Sequence, residues 1–167
     1  FFVGLGIGMN PDMKKDIKSL SPRLALLPLA TILGSWLGAV VAYLIMNIDL
    51  TSVLQHRSLN DCLALNSGFA YYSLSSIFIT EYRGAELGTI ALLANIIREM
   101  TTLLLTPLLA KWFGPLAPIS TGGATTMDTT LPIITQTIGQ RYVALSIYHG
   151  FVTDFSVPFL VTMWCML

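Results

Sequence analysis

Charge is what this sequence has least of. Only 11% of its 167 residues are Asp, Glu, Lys or Arg, against about 25% in ordinary soluble domains. So few charges cannot coat a globule of this size, which excludes a soluble enzyme or a soluble nucleic-acid binder. Neither sign is in excess: nine basic residues balance nine acidic ones, leaving no field to hold a phosphate backbone. Cysteine is scarce too. Cys62 and Cys165 both lie in apolar stretches without CxxC or Cys/His spacing, so no disulfide framework or metal site is expected and both read as small buried apolar residues. Rossmann glycines, a Walker loop and HExxH are absent, and no exact internal repeat is visible.

What the sequence has instead is long apolar runs, with 54% hydrophobic residues and a mean hydropathy of +0.71. Leu24 to Ile48 carries no charge and is long enough as a helix to cross a hydrocarbon core of about 30 Å. Its Gly34 and Gly38 form a small-xxx-small pair suited to close helix packing. Further segments are read at Cys62 to Thr80, Leu87 to Ala110, about Ile119 to Ile138, and Tyr142 to Leu167. Phe1 to Gly8 reads like the tail of another apolar helix, so the chain is expected to begin inside a larger membrane unit. The fold expected is an all-α membrane protein: a polytopic helical bundle with discontinuous helices, about five to six membrane segments, and one transporter domain over residues 1–167.

Lys14, Lys15, Lys18 and Arg23 precede the first long span. If every later segment crosses once, Arg83 and Arg141 share their side, while Arg57 and Lys111 face the other. Six against two places the Lys-rich loop in the cytoplasm and the C-terminus outside. Asp49 to Asp61 is too polar to insert and reads as a surface loop or short interfacial helix, with Ser58, Asn60 and Asp61 offering N-cap chemistry for the helix that follows.

Polar groups inside apolar segments are costly, about 2.5–3.5 kcal/mol for a charge at the bilayer centre, and mark candidate sites. Arg98 and Glu99 are adjacent and point about 100° apart on a helix, so they do not pair with each other. Asn95 is four residues before Glu99 and shares its face. Arg98 must find a carboxylate from another helix, such as Asp128, or snorkel. Around Asp128, Gly122 and Gly123 permit unusual backbone angles, Thr125, Thr126, Thr129 and Thr130 crowd the carboxylate, and Pro132 interrupts the hydrogen-bonded ladder. A discontinuous helix is expected there, its freed backbone groups met by protein or cavity water, with Asp128 as a cation or proton site. The alternative is a Gly/Thr packing seam with Asp128 satisfied by hydroxyls. Asn66 to Ser76 has similar texture, with Ser67, Tyr72 and Ser75 as candidate contacts. His149 can relay a proton near neutral pH or simply pack a helix. Asp154 completes the candidate set. Carboxylates without His/Cys partners specify no transition metal.

The runs Asn66-Ser67-Gly68-Phe69-Ala70-Tyr71-Tyr72-Ser73-Leu74-Ser75-Ser76, Asn95-Ile96-Ile97-Arg98-Glu99, Gly122 to Pro132 and His149-Gly150-Phe151 strongly resemble, in order, those of the LysO-type lysine exporter family. The resemblance covers nearly the whole chain and corresponds to the C-terminal half to two-thirds of a family member. It implies export of L-lysine and close cationic analogues across the bacterial inner membrane by a multi-pass protein, driven by proton exchange. It also implies Glu99 and Asp128 as the intramembrane acidic positions, no cofactor, and no enzymatic activity. The family's N-terminal helices are expected from a longer polypeptide or a separate chain, and a homodimer is a further expectation. On this reading the carboxylates neutralise the substrate's cationic groups while Arg98, or backbone N–H groups, hold its carboxylate. The rival readings are a non-transporting membrane scaffold and a transporter of another cation.

Overall fold

The structure, a computed structural model, describes residues 22–48 and 58–167. Expectations for Phe1 to Gly8, for Lys14, Lys15 and Lys18, and for Arg57 lie outside these residues. Among the described residues there are helices and no strands. A 3-10 turn, Pro22–Leu26, leads into α1 (Leu27–Ile48); then follow α2 (Leu59–Asn66), α3 (Tyr72–Arg83), α4 (Ala85–Phe113), α5 (Ala117–Gly122), a 3-10 turn (Gly123–Met127), α6 (Leu131–Ile138), a 3-10 turn (Gln140–Tyr142) and α7 (Val143–Met166). Among the described residues, three stretches are long and apolar enough to cross a membrane: Arg23–Ile45, Ala85–Phe113 and Gln140–Met166.

The two polar segments read as spans are not single long helices. Ser58 caps α2 through a reciprocal capping box with Asp61, but α2 stops after eight residues. Phe69 and Ala70 then take positive φ angles of 43° and 70°, a left-handed geometry that costs a non-glycine residue about 1–2 kcal/mol. α3 then runs back. Its last residue, Arg83, lies 3.7 Å from Asp61 in the first turn of α2 and donates from Nε to the carbonyl of Cys165, near the end of α7, at 3.0 Å. The segment 58–83 therefore enters and leaves at one end of the bundle, the far end from the start of α1.

The segment 116–139 does the same from the other side. Leu116 before α5, Ile138 at the end of α6, Tyr142 and Leu24 all pack on one apolar cluster of Ile119, Ile134 and Leu145, which places entry and exit at the near end. Among the described basic residues, Arg23, Lys111 and Arg141 thus share the near end and Arg83 lies at the far end. This corrects the expectation for Arg83 and Lys111, which exchange places. The pattern is span, hairpin, span, hairpin, span, with the second span-and-hairpin unit inverted relative to the first.

The larger core joins Ile32, Phe69, Ile79, Leu87, Ala91, Val157 and Val161, with Trp36 and Trp164 in edge contact at 5.3 Å. Cys62 and Cys165 are buried, as expected. Gly34 and Gly38 are different: nothing lies within 4 Å of a Cβ added at either, so no described helix uses the pair for close packing. Close packing is instead found at Gly88, where an added Cβ would collide with Thr80 of α3, and at Gly150 of α7, where it would collide with Met127 of the 3-10 turn.

Candidate functional site

The turns of the two hairpins meet beside the middle of α4. Ala124 donates its N–H to the carbonyl of Phe69 at 2.9 Å. This contact needs Gly123, whose φ is +59° and whose missing side chain leaves room for that same carbonyl.

One face of α4 serves both turns. Asn95 Oδ1 accepts the N–H of Ala70 at 2.8 Å, and Nδ2 donates to Ala91 O at 2.9 Å and Ser75 Oγ at 3.3 Å. Gly68 is glycine because a side chain there would strike the Asn95 amide. One turn further on, Arg98 donates from Nε to Thr121 O at 2.9 Å and from Nη2 to Ser120 O at 3.1 Å. These are among the last carbonyls of α5, the negative end of that helix's dipole. Nη1 reaches Ser35 Oγ at 3.3 Å, and the Phe69 ring lies 5.6 Å from the guanidinium. Arg98 thus meets carbonyls and a hydroxyl, which corrects the expectation that it must pair with a carboxylate or snorkel.

The carboxylates gather on the neighbouring side of α4. Thr129, in the exposed turn before α6, donates its hydroxyl to Glu99 Oε1 at 2.7 Å. Its backbone N–H goes to Asp128 Oδ1 at 2.6 Å, and Asp154 lies close enough to Asp128 for the two charges to repel. Glu99 and Asp154 are half-buried, while Asp128 is exposed. Pro158 lacks the N–H that would pair with the Asp154 carbonyl one turn back, so a backbone acceptor is released beside these carboxylates. Asn95 lies four residues before Glu99 on α4 as expected, but its amide is committed to the first hairpin and to Ala91 O rather than to Glu99.

The other candidates divide in the same way. Ser67 is buried, donating to Leu63 O at 2.7 Å and accepting from Trp36 Nε1 at 2.9 Å. Ser75 donates to Tyr71 O at 2.8 Å. Thr125 bonds Gly122 O at 2.8 Å, and Thr126 bonds Gly123 O and Ser146 O, each at 2.8 Å. His149 is wholly buried, with Nε2 2.9 Å from Thr31 Oγ1 and Nδ1 3.4 Å from Thr126 Oγ1. These groups hold one another. Tyr72, at the start of α3, is exposed.

Arg98 lines two cavities. One of 360 Å³ lies between α1 and α5, bounded by Ala30, Thr31, Gly34, Ser35, Ser120 and Thr121; one of 210 Å³ is bounded by Leu65, Asn66, Ala94 and Asn95. Ser35 belongs to no motif, and the signal that could have marked it is that it is the single serine between Leu24 and Ile48. Thr129 stands out in the sequence only as a neighbour of Asp128.

No solved structure matches this chain. The sequence profile of the family described as lysine exporter LysO matches residues 1–165. A protein of Escherichia coli named Lysine exporter LysO is 32% identical over 161 residues, covering 96% of this chain and 50% of that protein. A Haemophilus influenzae protein named Putative lysine exporter is also 32% identical over 161 residues, covering 96% of this chain and 77% of its own. The chain spans about half the length of the first of these. With a profile match from the first residue to within two of the last, and helices of membrane-spanning length, this chain belongs to the lysine exporter LysO family.

Proposed function

We propose that this chain is the membrane domain, or part of it, of a secondary transporter that exports L-lysine and close cationic analogues across the bacterial inner membrane in exchange for protons. The observation that carries the reading is the Thr129–Glu99 hydrogen bond. It brings the Asp128 turn of one hairpin against a carboxylate at the middle of α4, the longest apolar helix. A charged group at that depth is costly unless it has a task or a partner, and Glu99 is offered a hydroxyl rather than a cation. Two half-exposed carboxylates with a third nearby suit a substrate carrying two ammonium groups, and each can exchange that substrate for a proton. Two opposed hairpins with touching turns suit alternating access, because each turn can yield to one side of the membrane. Coupling requires that substrate and proton favour different states.

The scaffold reading takes the intramembrane polar residues as helix glue, and Arg98 does join α4 to α5 and α1. Glu99 supports transport instead, because its partner is the hydroxyl of an exposed turn rather than a group of a packed helix. Purified chain in proteoliposomes, loaded with labelled lysine and given a pH step, tests the proposal: wild type exchanges lysine for protons, while Glu99→Gln and Asp128→Asn remain folded and do not. Undiminished exchange by both variants refutes it. Competition by arginine, ornithine, thialysine and sodium separates lysine from another cation as substrate.

A further inference from the structure

The 360 Å³ cavity between α1 and α5 has a polar inventory of one kind. A guanidinium carries five N–H donors, and Arg98 commits three: Nε to Thr121 O, Nη2 to Ser120 O and Nη1 to Ser35 Oγ. One N–H remains on each terminal nitrogen. Ser35 uses its oxygen to accept from Arg98, and its own proton meets no acceptor among the described residues. The Ser120 hydroxyl likewise has no partner among them, although its backbone carbonyl is taken by Arg98. The other polar side chains of the lining are already engaged: Thr31 with His149 and Thr121 with Ala117 O. Every uncommitted polar group facing this space is therefore a donor or a hydroxyl able to donate. A cation would find no free carboxylate here, and a neutral amide would leave charge unmet. A carboxylate is the complementary ligand, since its two oxygens take several charge-assisted hydrogen bonds.

We infer that this cavity binds the α-carboxylate of the transported amino acid, held by the free N–H groups of Arg98 with Ser35 and Ser120. The inference rests on the exporter reading and deepens it by fixing substrate orientation. Glu99 follows Arg98 on α4, about 100° around the helix, so the anionic end lies against Arg98 while the cationic groups turn toward Glu99 and Asp128. The α5 carbonyls play a second part, because they immobilise the guanidinium and lower the entropy lost when a ligand is bound. Arg98 on this account is selective: it separates an amino acid from the diamine left by its decarboxylation.

Isothermal calorimetry on the purified chain, with three pairs of ligands, tests this: lysine and cadaverine, ornithine and putrescine, arginine and agmatine. Each pair shares its cationic groups and differs in the carboxylate. Wild type is expected to favour the amino acid by about tenfold or more in at least one pair, as loss of a hydrogen-bonded charge requires. Ser35→Ala, Ser120→Ala and their double variant are expected to bring that ratio toward one, and Arg98→Lys to do so most strongly. The serine variants carry the test if the arginine variant does not fold. A wild-type ratio near one, or a ratio preserved in the folded double variant, overturns the inference and leaves the exporter reading standing. Failure of all six ligands to bind overturns both.

Discussion

The carbonyl of Phe69 accepts the amide N–H of Ala124 at 2.9 Å, and through this bond the turn of one hairpin rests on the turn of the other. Phe69 is itself left-handed, at φ 43°. Asn95, Arg98 and Gly123 surround the junction, so each is a lever on the same contact.

Gly123→Ala is expected to be severe. The added methyl meets the Phe69 carbonyl, and φ of +59° is strained for alanine, with the backbone alone costing about 1–3 kcal/mol. Gly122→Ala, at an ordinary helical φ of −65°, adds no backbone strain, but its Cβ would lie 2.6 Å from the methyl of the buried Thr126, so it should destabilise as well, though less. Gly38→Ala meets nothing within 4 Å and should be nearly neutral. Thermal unfolding of the three variants in detergent checks the order.

Asn95→Leu leaves the Ala70 N–H buried without its acceptor, at a cost of about 1–3 kcal/mol. Asn95→Asp keeps the acceptor but loses the Nδ2 donors to Ser75 and Ala91. Both variants should melt below wild type, and Asn95→Leu should also expose the first hairpin turn to faster hydrogen exchange at Ala70.

Thr129→Val removes the hydroxyl that meets Glu99 while preserving size. Hydrogen bonds to charged groups contribute about 1.5–3 kcal/mol, so exchange should fall about tenfold with little change in melting temperature. An unchanged rate would mean that the Glu99–Thr129 contact has no part in transport.

His149 bridges Thr31 and Thr126 from a fully buried position. His149→Gln is expected to lower stability and yet retain the pH dependence of lysine exchange, whereas Asp128→Asn should show no exchange at any pH. Initial rates from pH 5.5 to 8.5 separate the two roles.

The hairpins are open to a labelling test in a variant with Cys62 and Cys165 replaced by alanine. Lys111→Cys and Gln140→Cys should react with an impermeant maleimide from one side of the membrane, and Glu81→Cys from the other. If residues 116–139 crossed, Lys111→Cys and Gln140→Cys would label from opposite sides.

The sequence by itself determined the solvent and the anchors of this protein. Too few charges for a water-facing coat mean a membrane bundle, and the charge-free or nearly charge-free runs at α1, α4 and α7 are long enough that only helices satisfy their backbone there. It also singled out Arg98, Glu99 and Asp128, because a charge within an apolar run is conspicuous in one dimension. Gly122-Gly123 and Pro132 announced an interruption for the same reason: local backbone chemistry is written locally. What only the tertiary structure decided is direction and partnership. Cys62 to Thr80 has the length of a span, and nothing in its composition reveals that Arg83 returns to Asp61; that depends on packing against α4 and α7. The partners of Arg98 are two backbone carbonyls and Ser35, contributed from more than twenty and more than sixty residues away. Backbone carbonyls look alike in every residue, so no sequence pattern distinguishes the two that await a guanidinium from those that close a helix.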